Sequence, residues 1–254
     1  MLKEINLDLK ETWEDYYSDH IDTAIKDHFF FHLEIRAILE SIESFLLLHN
    51  SEQIAILEIG CATGYLLKQI SKKFDKKYNI KLTGVDFSTN AINQARKRNI
   101  PNATFIEDNM LYFFNRNSQT YNLIITQRTI MALLERNEQI SFLTAVKCSL
   151  KENGMGVFSE CLKSGLDELN KLRRQLNIEP ILKVWHSRYL EKEIFEDIFS
   201  QTEYFDFSSL YWLVTRVIYP FFEEPVHNSK IAEFTAQLPQ LGNFGLAKLI
   251  KVNN

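Results

Sequence analysis

The sequence predicts an α/β protein with a Rossmann-like, mostly parallel seven-stranded sheet and helices on both faces. Two observations predict this fold. Strand and helix patterns alternate with short turns from residue 54 to residue 161, and residues 54–59 form a largely apolar run of the kind found in buried parallel strands. Such alternation implies right-handed crossovers that place the carboxyl ends of the strands along one edge. Ligands of such sheets bind at that edge.

The first 50 residues are predicted to form a helical cap, because Ile35, Ile38, Ile42 and Phe45 recur at helical spacing. The core is predicted over residues 51–161. Its strands are expected at 54–59, 81–87, 103–106, 121–126 and 156–161. Its helices are expected at 65–78, 89–98 and 130–150, the last with a break near Asn137.

Beyond residue 161 the alternation stops, and residues 162–240 are predicted to hold substrate-side insertions and a late strand. Helices are expected at 165–177, 191–200 and 231–238. The aromatic and β-branched segment 204–217 predicts a strand, with a helix as the alternative for its second part. Residues 241–254 are predicted to hold the last strand, at 246–252. We expect the 254 residues to form a single domain.

The composition argues against several classes of partner. The formal net charge is -4, no Lys/Arg block of the nucleic-acid type appears, and the basic stretch 72–77 is short, so a nucleic-acid partner is not expected. Three cysteines without CxxC spacing fit the reducing cytoplasm, and the N-terminus does not read as a secretory signal. No apolar run is long enough for membrane insertion. A small-molecule partner is therefore expected, with the oligomeric state left open.

The sharpest motif is Glu58-Ile-Gly60-Cys61-Ala62-Thr-Gly64, where a strand runs into two glycines and then a helix. Gly60 permits a tight turn, and the helix that follows offers free backbone N–H groups. Here the chain resembles the class I S-adenosylmethionine-dependent methyltransferases, whose first motif is E/D-x-G-x-G/A-x-G. The resemblance implies that this loop, Cys61 and Ala62 included, packs against the methionine part of the cofactor, so residues 51–161 become a cofactor-binding core.

Further cofactor residues follow from the same resemblance. Asp86 ends the second strand, where the family places the acid that binds the ribose, and Phe87 could lie against the adenine; a helix N-cap is the alternative for Asp86. After the third strand, Asp108 could meet the adenine amino group. The remaining predicted cofactor residues are Asn109 and Met110 beside it, Gln127 after the fourth strand, and Tyr17 in the cap, for which a core position is the alternative.

The predicted acceptor residues are Arg128, Trp185 and Tyr189, and the predicted catalytic residues are His186 and Glu160. Arg128 could pair with a phosphate or carboxylate of the acceptor, or with Glu160 or another local acid. A hydroxyl acceptor must lose a proton, for which His186 is the first candidate base and Glu160 the second; a structural histidine is the alternative. Tyr189 would share a face with His186 if that segment were helical. His28 and His32 lack the Glu of H-E-x-x-H, so no metal is expected.

The motifs leave three hypotheses about function. The first is methyl transfer from S-adenosylmethionine, with S-adenosylhomocysteine as product, to the oxygen or nitrogen of a small molecule. Segment 127–134 is loosely similar to methyltransferases of bacterial surface-polysaccharide clusters, which favours a sugar, nucleotide-linked or phosphorylated precursor. The alternatives are an NAD-dependent oxidoreductase, which the missing G-x-G-x-x-G disfavours, and a non-catalytic cofactor-binding homologue.

Overall fold

The computed structural model describes residues 2–19, 26–49, 53–222 and 229–253. Two helices, α1 (Leu2–Asp19) and α2 (His28–Leu48), precede the sheet. The helix α2 begins at a buried cap, because the carboxylate of Asp27 accepts a hydrogen bond from the N–H of Phe30. Its buried residues include Ile35, Ile38 and Ile42, as the helical spacing predicts.

The first half of the sheet alternates strand and helix in the predicted order. The elements are β1 (Ile54–Ile59), α3 (Tyr65–Phe74), β2 (Ile80–Asp86), α4 (Thr89–Lys97), β3 (Ala103–Glu107), α5 (Met110–Arg116), β4 (Tyr121–Gln127), a 3₁₀ turn (Ile130–Ala132), α6 (Arg136–Ser149) and β5 (Leu150–Cys161). All six residues of β1 are buried, because helices cover the sheet on both sides.

The second half adds the antiparallel edge. The elements are α7 (Lys163–Gln175), α8 (Lys192–Ile198), β6 (Gln201–Phe205), α9 (Ser209–Leu213), a π-helical turn (Val214–Ile218), α10 (Tyr219–Phe222), α11 (Lys230–Gln237) and β7 (Ala247–Asn253). The strand order is β3-β2-β1-β4-β5-β7-β6. Strands β1 to β5 are parallel, and β7 is antiparallel to both β5 and β6. The predicted Rossmann-like, mostly parallel seven-stranded sheet is therefore confirmed.

The structure refines three local predictions. In the segment 204–217 the strand ends at Phe205, and the predicted alternative of a helix for the second part is confirmed by a helix with a π-helical turn. There the buried residues Tyr211, Thr215 and Arg216 recur at helical spacing, so one face packs inward in spite of the β-favouring composition. The break predicted near Asn137 lies just before it, between the 3₁₀ turn and α6, which begins at Arg136. The helix α5 was not predicted.

Candidate active site

The main cavity lies at the carboxyl ends of β1, β2 and β4, where the strand order reverses. Its volume is about 320 Å³, which is within the range of small-ligand sites. A second cavity of about 310 Å³ adjoins it and shares Trp13, Phe87, Asp108, Met110 and Ala132 with it. Of the predicted site residues, the main cavity is lined by Tyr17, Glu58, Gly60, Cys61, Ala62, Asp86, Phe87, Asp108, Met110, Gln127, Arg128 and His186.

The glycine loop forms the floor of the cavity at the end of β1. Gly60 has a φ of 72°, and a side chain there would overlap the side chain of Thr129, so only glycine fits. The N–H groups of Gly60 and Cys61 both donate to the carbonyl of Val85, at 2.8 and 3.0 Å, which folds the loop onto β2. Gly64 does not line the cavity. It begins α3 in the left-handed conformation, with a φ of 73°.

Asp86 lies in the middle of the cavity wall at the end of β2 and is 7% exposed. Its two oxygens accept hydrogen bonds from the N–H groups of Ala62 and Ser88, at 2.9 and 3.0 Å. Burial raises its pKa to about 6, in spite of these hydrogen bonds. The cap of α4 is Ser88, whose hydroxyl accepts from Ala91, so Asp86 is not occupied as an N-cap.

Burial raises the pKa of two further ionisable groups of the floor. Burial, reinforced by Asp86, raises the pKa of Glu58 well above its ordinary value, and one of its carboxyl oxygens has no hydrogen-bond partner among the described residues. Burial likewise raises the pKa of the Cys61 thiol, so Cys61 is a small packing residue and not an activated nucleophile. The oxygen of Glu58 that lacks a partner is available for a hydrogen bond with a bound ligand.

The turn after β3 contributes Asp108 and Met110. The carboxylate of Asp108 accepts from the N–H of Asn109 at 2.8 Å and pairs with Arg116 at 2.6 Å. Asn109 caps α5, because its side chain accepts from the N–H of Leu111 at 2.9 Å. Asn109 lines the adjoining cavity rather than the main one. The predicted contact of Asn109 with the cofactor therefore finds no support in the main cavity.

Helix α1 covers the cavity. Trp13 and Tyr17 line it, and Tyr17 is 7% exposed. Glu14 holds the helix in place, because its carboxylate accepts from the hydroxyl of Ser88 at 2.8 Å and from the N–H groups of Thr89 and Asn90 at 2.7 and 3.0 Å. Burial opposes the ionisation of Glu14, but these hydrogen bonds outweigh it and lower its pKa. Helix α1 therefore packs against the turn that follows Asp86.

Arg128 follows β4 and lines the same cavity with a φ of 54°, which is uncommon for a residue other than glycine. It pairs with Glu34 of α2, not with Glu160: the distance from its Nε to Glu34 Oε1 is 3.3 Å. Glu34 is fully buried, and it also accepts from Gln127 at 2.6 Å and from Ser159 at 2.5 Å. Glu34 thus ties the ends of β4 and β5 to the cap.

Glu160 does not reach the cavity, so its predicted role as a base is not supported. Its side chain is fully buried, and it accepts from the hydroxyl of Thr126 at 2.8 Å and from three backbone N–H groups at 3.0 to 3.2 Å. Burial raises its pKa to about 7. Those three N–H groups belong to Thr129, Ile130 and Met131, so Glu160 orders the loop that follows Arg128.

The segment 185–189 contributes His186 and Ser187 to the lining of the cavity. His186 lines the cavity and packs edge-on against Trp13, with 6.0 Å between the ring centroids. The segment is not helical, so the expected shared face of His186 and Tyr189 was wrong. Trp185 is 64% exposed, and neither it nor Tyr189 lines the cavity, so their predicted contact with the acceptor is not supported by this structure.

Several lining residues were missed from the sequence. They come from the cap, from α3 and from the loops after β4 and before α8, and include Trp13, Phe31, Tyr65, Leu66, Thr129, Met131 and Ser187. Only Thr129 had a signal, because it lies in the segment that follows the fourth strand. Within the part of the chain that the structure describes, no helix is long and apolar enough to cross a membrane, and no cluster of three metal-ligating side chains occurs.

Comparison with known proteins identifies the domain. Residues 56–154 match the family model of a methyltransferase domain. A segment of 85 residues is 36% identical to the malonyl-[acyl-carrier protein] O-methyltransferase of Bacillus cereus, covering 33% of this chain and 30% of that protein. A segment of 48 residues is 48% identical to the Priestia megaterium protein of the same name, covering 19% of this chain and 16% of that protein. The matches thus span less than a third of these relatives.

Solved structures support the same fold over nearly the whole chain. The magnesium protoporphyrin IX methyltransferase of Synechocystis PCC 6803 with bound SAM gives a TM-score of 0.58 at 8% identity, covering 98% of this chain and 97% of that chain. The plantazolicin methyltransferase BpumL, in complex with a substrate analogue and SAH, gives 0.57 at 17% identity, covering 96% and 90%. At these identities the likeness establishes the fold alone.

Proposed function

We propose that this chain, which has a class I S-adenosylmethionine-dependent methyltransferase domain, transfers a methyl group from S-adenosylmethionine to a small-molecule acceptor. One observation carries the proposal. The matched domain brings the glycine loop, Asp86 and Asp108 together at successive strand ends around one cavity. S-adenosylmethionine supplies a methyl group activated by a sulfonium, and S-adenosylhomocysteine is the product.

The residues of the cavity fit this cofactor. A carboxylate has about four acceptor sites, so Asp86 keeps acceptor capacity for the ribose hydroxyls beside its backbone hydrogen bonds from Ala62 and Ser88. Phe87 and Met110 offer apolar surface for the adenine, and Asp108 an acceptor for its amino group. At the other end of the cavity, the backbone of Gly60 and Ala62, the carboxyl of Glu58, and the side chains of Gln127 and Tyr17 would hold the methionine part.

We assign general-base catalysis to His186 when the acceptor is a hydroxyl group. It is the only histidine among the residues that line the main cavity of the described structure. An imidazole is suited to taking a proton at neutral pH. The apolar rings of Trp13, Tyr17 and Phe31 exclude water around it, so that the chain contributes chiefly by holding the acceptor against the methyl group.

The finer identity of the acceptor extends this proposal. The matched relatives are named O-methyltransferases. We propose that this chain also methylates an oxygen atom, with a nitrogen acceptor as the alternative. A sugar, nucleotide-linked or phosphorylated precursor of a surface polysaccharide remains our sequence-based proposal for the molecule. The negative charge of the chain supports a small acceptor rather than a nucleic acid.

The proposal is tested by calorimetry with S-adenosylhomocysteine. We expect the wild-type chain to bind it, and Asp86→Ala to weaken binding by about tenfold to a hundredfold, because two charged hydrogen bonds are lost. Asp75→Ala is the matched control, because Asp75 accepts from Ser71 at the far end of α3 and does not line the cavity. Binding of NADH instead, or equal affinity in Asp86→Ala and wild type, would overturn the proposal.

A further inference from the structure

We infer that the acceptor carries an anionic group, a carboxylate or a phosphate, and that Arg128 binds it at the wall of the cavity formed by the ends of β4 and β5. The inference rests on the proposed function and adds the chemical class of the acceptor. It also gives Glu34 and Glu160 a role as positioning residues. Neither of these two carboxylates lines the cavity.

The position of Arg128 separates it from the cofactor residues. Ile59 of β1 is paired with Thr126 of β4, so Gln127 lies level with Gly60 and Arg128 lies one residue beyond the edge. The backbone N–H of Arg128 donates to the carbonyl of Ser159 in β5, at 2.7 Å. Because β5 is on the opposite side of β4 from β1 and β2, Arg128 lies at the β5 side of β4, whereas Asp86 ends β2, two strands away from β4.

The guanidinium group is held on one side only. Its Nε lies 3.3 Å from Glu34 in an ion pair without hydrogen-bond geometry. Among the described residues no other ion pair or side-chain hydrogen bond involves this guanidinium, and the Arg128 side chain is 26% exposed where it lines the cavity. Its two terminal nitrogens can therefore form the paired hydrogen bonds that bind a carboxylate or a phosphate.

The two buried carboxylates fix this geometry. Both oxygens of Glu34 are occupied, by Ser159 and Arg128 on one and by Gln127 on the other, so Glu34 orients the arginine and has no donor to offer a ligand. Glu160 binds the loop immediately after Arg128 through three backbone N–H groups. The backbone of Arg128 is left-handed, a strained conformation that proteins keep mainly at functional sites.

The charges of the cavity place an anion beside Arg128. Among the described residues that line the cavity, Arg128 is the only arginine or lysine. Two acids, Asp86 and Asp108, line it as well; Asp108 is paired with Arg116, and Asp86 ends β2, away from β5. An anionic group of the acceptor is therefore attracted to Arg128 and repelled by the acids at the ends of β2 and β3.

The test uses malonate and inorganic phosphate as probes of the anion site, with malonamide as the uncharged control. Their affinities are measured by ligand-observed NMR on the full chain saturated with S-adenosylhomocysteine. We expect Arg128→Gln to weaken the preferred anion by about tenfold to a hundredfold, since charged hydrogen bonds are lost. Arg136→Gln is the matched control, because it removes the same charge from a pair with Glu191 outside the cavity. The anion that binds with the higher affinity shows whether the acceptor carries a carboxylate or a phosphate.

The positioning role of Glu34 has its own matched pair. Glu34→Gln keeps the side-chain volume and removes the charge beside Arg128, so we expect weaker anion binding with nearly unchanged affinity for S-adenosylhomocysteine. Asp27→Asn makes the same change in another buried carboxylate–arginine pair at the start of α2. It should lower the free energy of unfolding comparably and leave anion binding intact. If Glu34→Gln and Asp27→Asn lost the same anion affinity, Glu34 would have a structural role only.

Failure of the inference differs from failure of the proposed function. If the wild-type chain does not bind S-adenosylhomocysteine, the proposed function is wrong. If it does, but Arg128→Gln binds both anions as wild type does, or malonamide binds as well as malonate, only the inference is wrong. The inference is also overturned if Arg128→Gln weakens S-adenosylhomocysteine and spares 5′-methylthioadenosine, because Arg128 would then bind the carboxylate of the cofactor.

Discussion

The two walls of the cavity are built in different ways. The cofactor wall comes from one stretch of chain, in which the glycine loop, Asp86 and Asp108 follow β1, β2 and β3 in order. The opposite wall brings together Trp13 and Tyr17 of α1, Arg128 after β4, and His186 before α8. The first wall is specified by local sequence. The second is specified by long-range contacts, of which the pair between Glu34 and Arg128 is the clearest.

The largest expected effect falls where the two walls touch. Gly60 has a φ of 72°, and a Cβ there would overlap Thr129 of the opposite wall. We therefore expect Gly60→Ala to lower the free energy of unfolding by about 3 kcal/mol and the affinity for S-adenosylhomocysteine by about a hundredfold or more. Chemical denaturation and calorimetry measure the two effects.

Gly242→Ala is the control for Gly60→Ala. Gly242 has a φ of 100° but does not line the cavity, so its substitution should destabilise the chain and spare cofactor binding. Unaltered cofactor affinity in Gly60→Ala would mean that the contact between the walls does not shape the site.

The second expected effect distinguishes the two walls, because it changes catalysis and leaves cofactor binding nearly unchanged. We expect His186→Ala to slow methyl transfer by about a hundredfold, because a general base is lost, and to leave the affinity for S-adenosylhomocysteine nearly unchanged. The rate of S-adenosylhomocysteine formation with a hydroxyl acceptor measures the first quantity. Trp185→Phe is the control, since Trp185 neighbours His186 but is exposed. Full activity of His186→Ala would show that this residue is not the general base. The opposite wall would then act only by positioning the acceptor.

The last expected effect concerns the pH dependence of stability and not binding or catalysis, and it comes from Asp86 of the cofactor wall and from the buried Glu160. Burial raises the pKa of Asp86 from 3.8 to about 6 and that of Glu160 from 4.5 to about 7. Between about pH 4 and 7 the folded chain therefore binds more protons than the unfolded chain, and its free energy of unfolding falls as pH rises. Glu14 and Asp27 have lowered pKa values and act with the opposite sign, at lower pH.

Thermal unfolding without ligand, measured from pH 5 to pH 7.5, checks this prediction. The midpoint should fall by about 2–4 °C for each kcal/mol lost. Asp86→Asn should reduce the slope through its own window, and Asp75→Asn should not. A midpoint that rises steadily over this range would contradict the proposed sign.

The sequence was sufficient for the fold and for most of the cofactor wall. The glycine loop and Asp86 could be predicted because they lie next to strong strand patterns, and their function depends on position at a strand end. The prediction was weaker after residue 110, where the helix Met110–Arg116 is short and rich in aromatic residues. Asn109 was therefore predicted to contact the cofactor. In the structure it is the N-cap of this helix, and its side chain accepts a hydrogen bond from the N–H of Leu111.

The opposite wall could be predicted only in part. His186 and Arg128 were identified from residue type, but the partner of Arg128 lies 94 positions earlier, in α2, where Glu34 gives no local signal. Glu160 was misread as a base because a carboxylate at a strand end resembles Asp86 in sequence. The difference is that Glu160 accepts three backbone N–H groups of a neighbouring loop and is closed off from the cavity.

The docking of α1 through Glu14 has a kinetic consequence. This one side chain accepts hydrogen bonds from Ser88, Thr89 and Asn90, and the same helix places Trp13 and Tyr17 over the cavity. Release of S-adenosylhomocysteine past α1 would break these hydrogen bonds in each catalytic cycle. Their strength would then set the rate of product release, a step separate from methyl transfer.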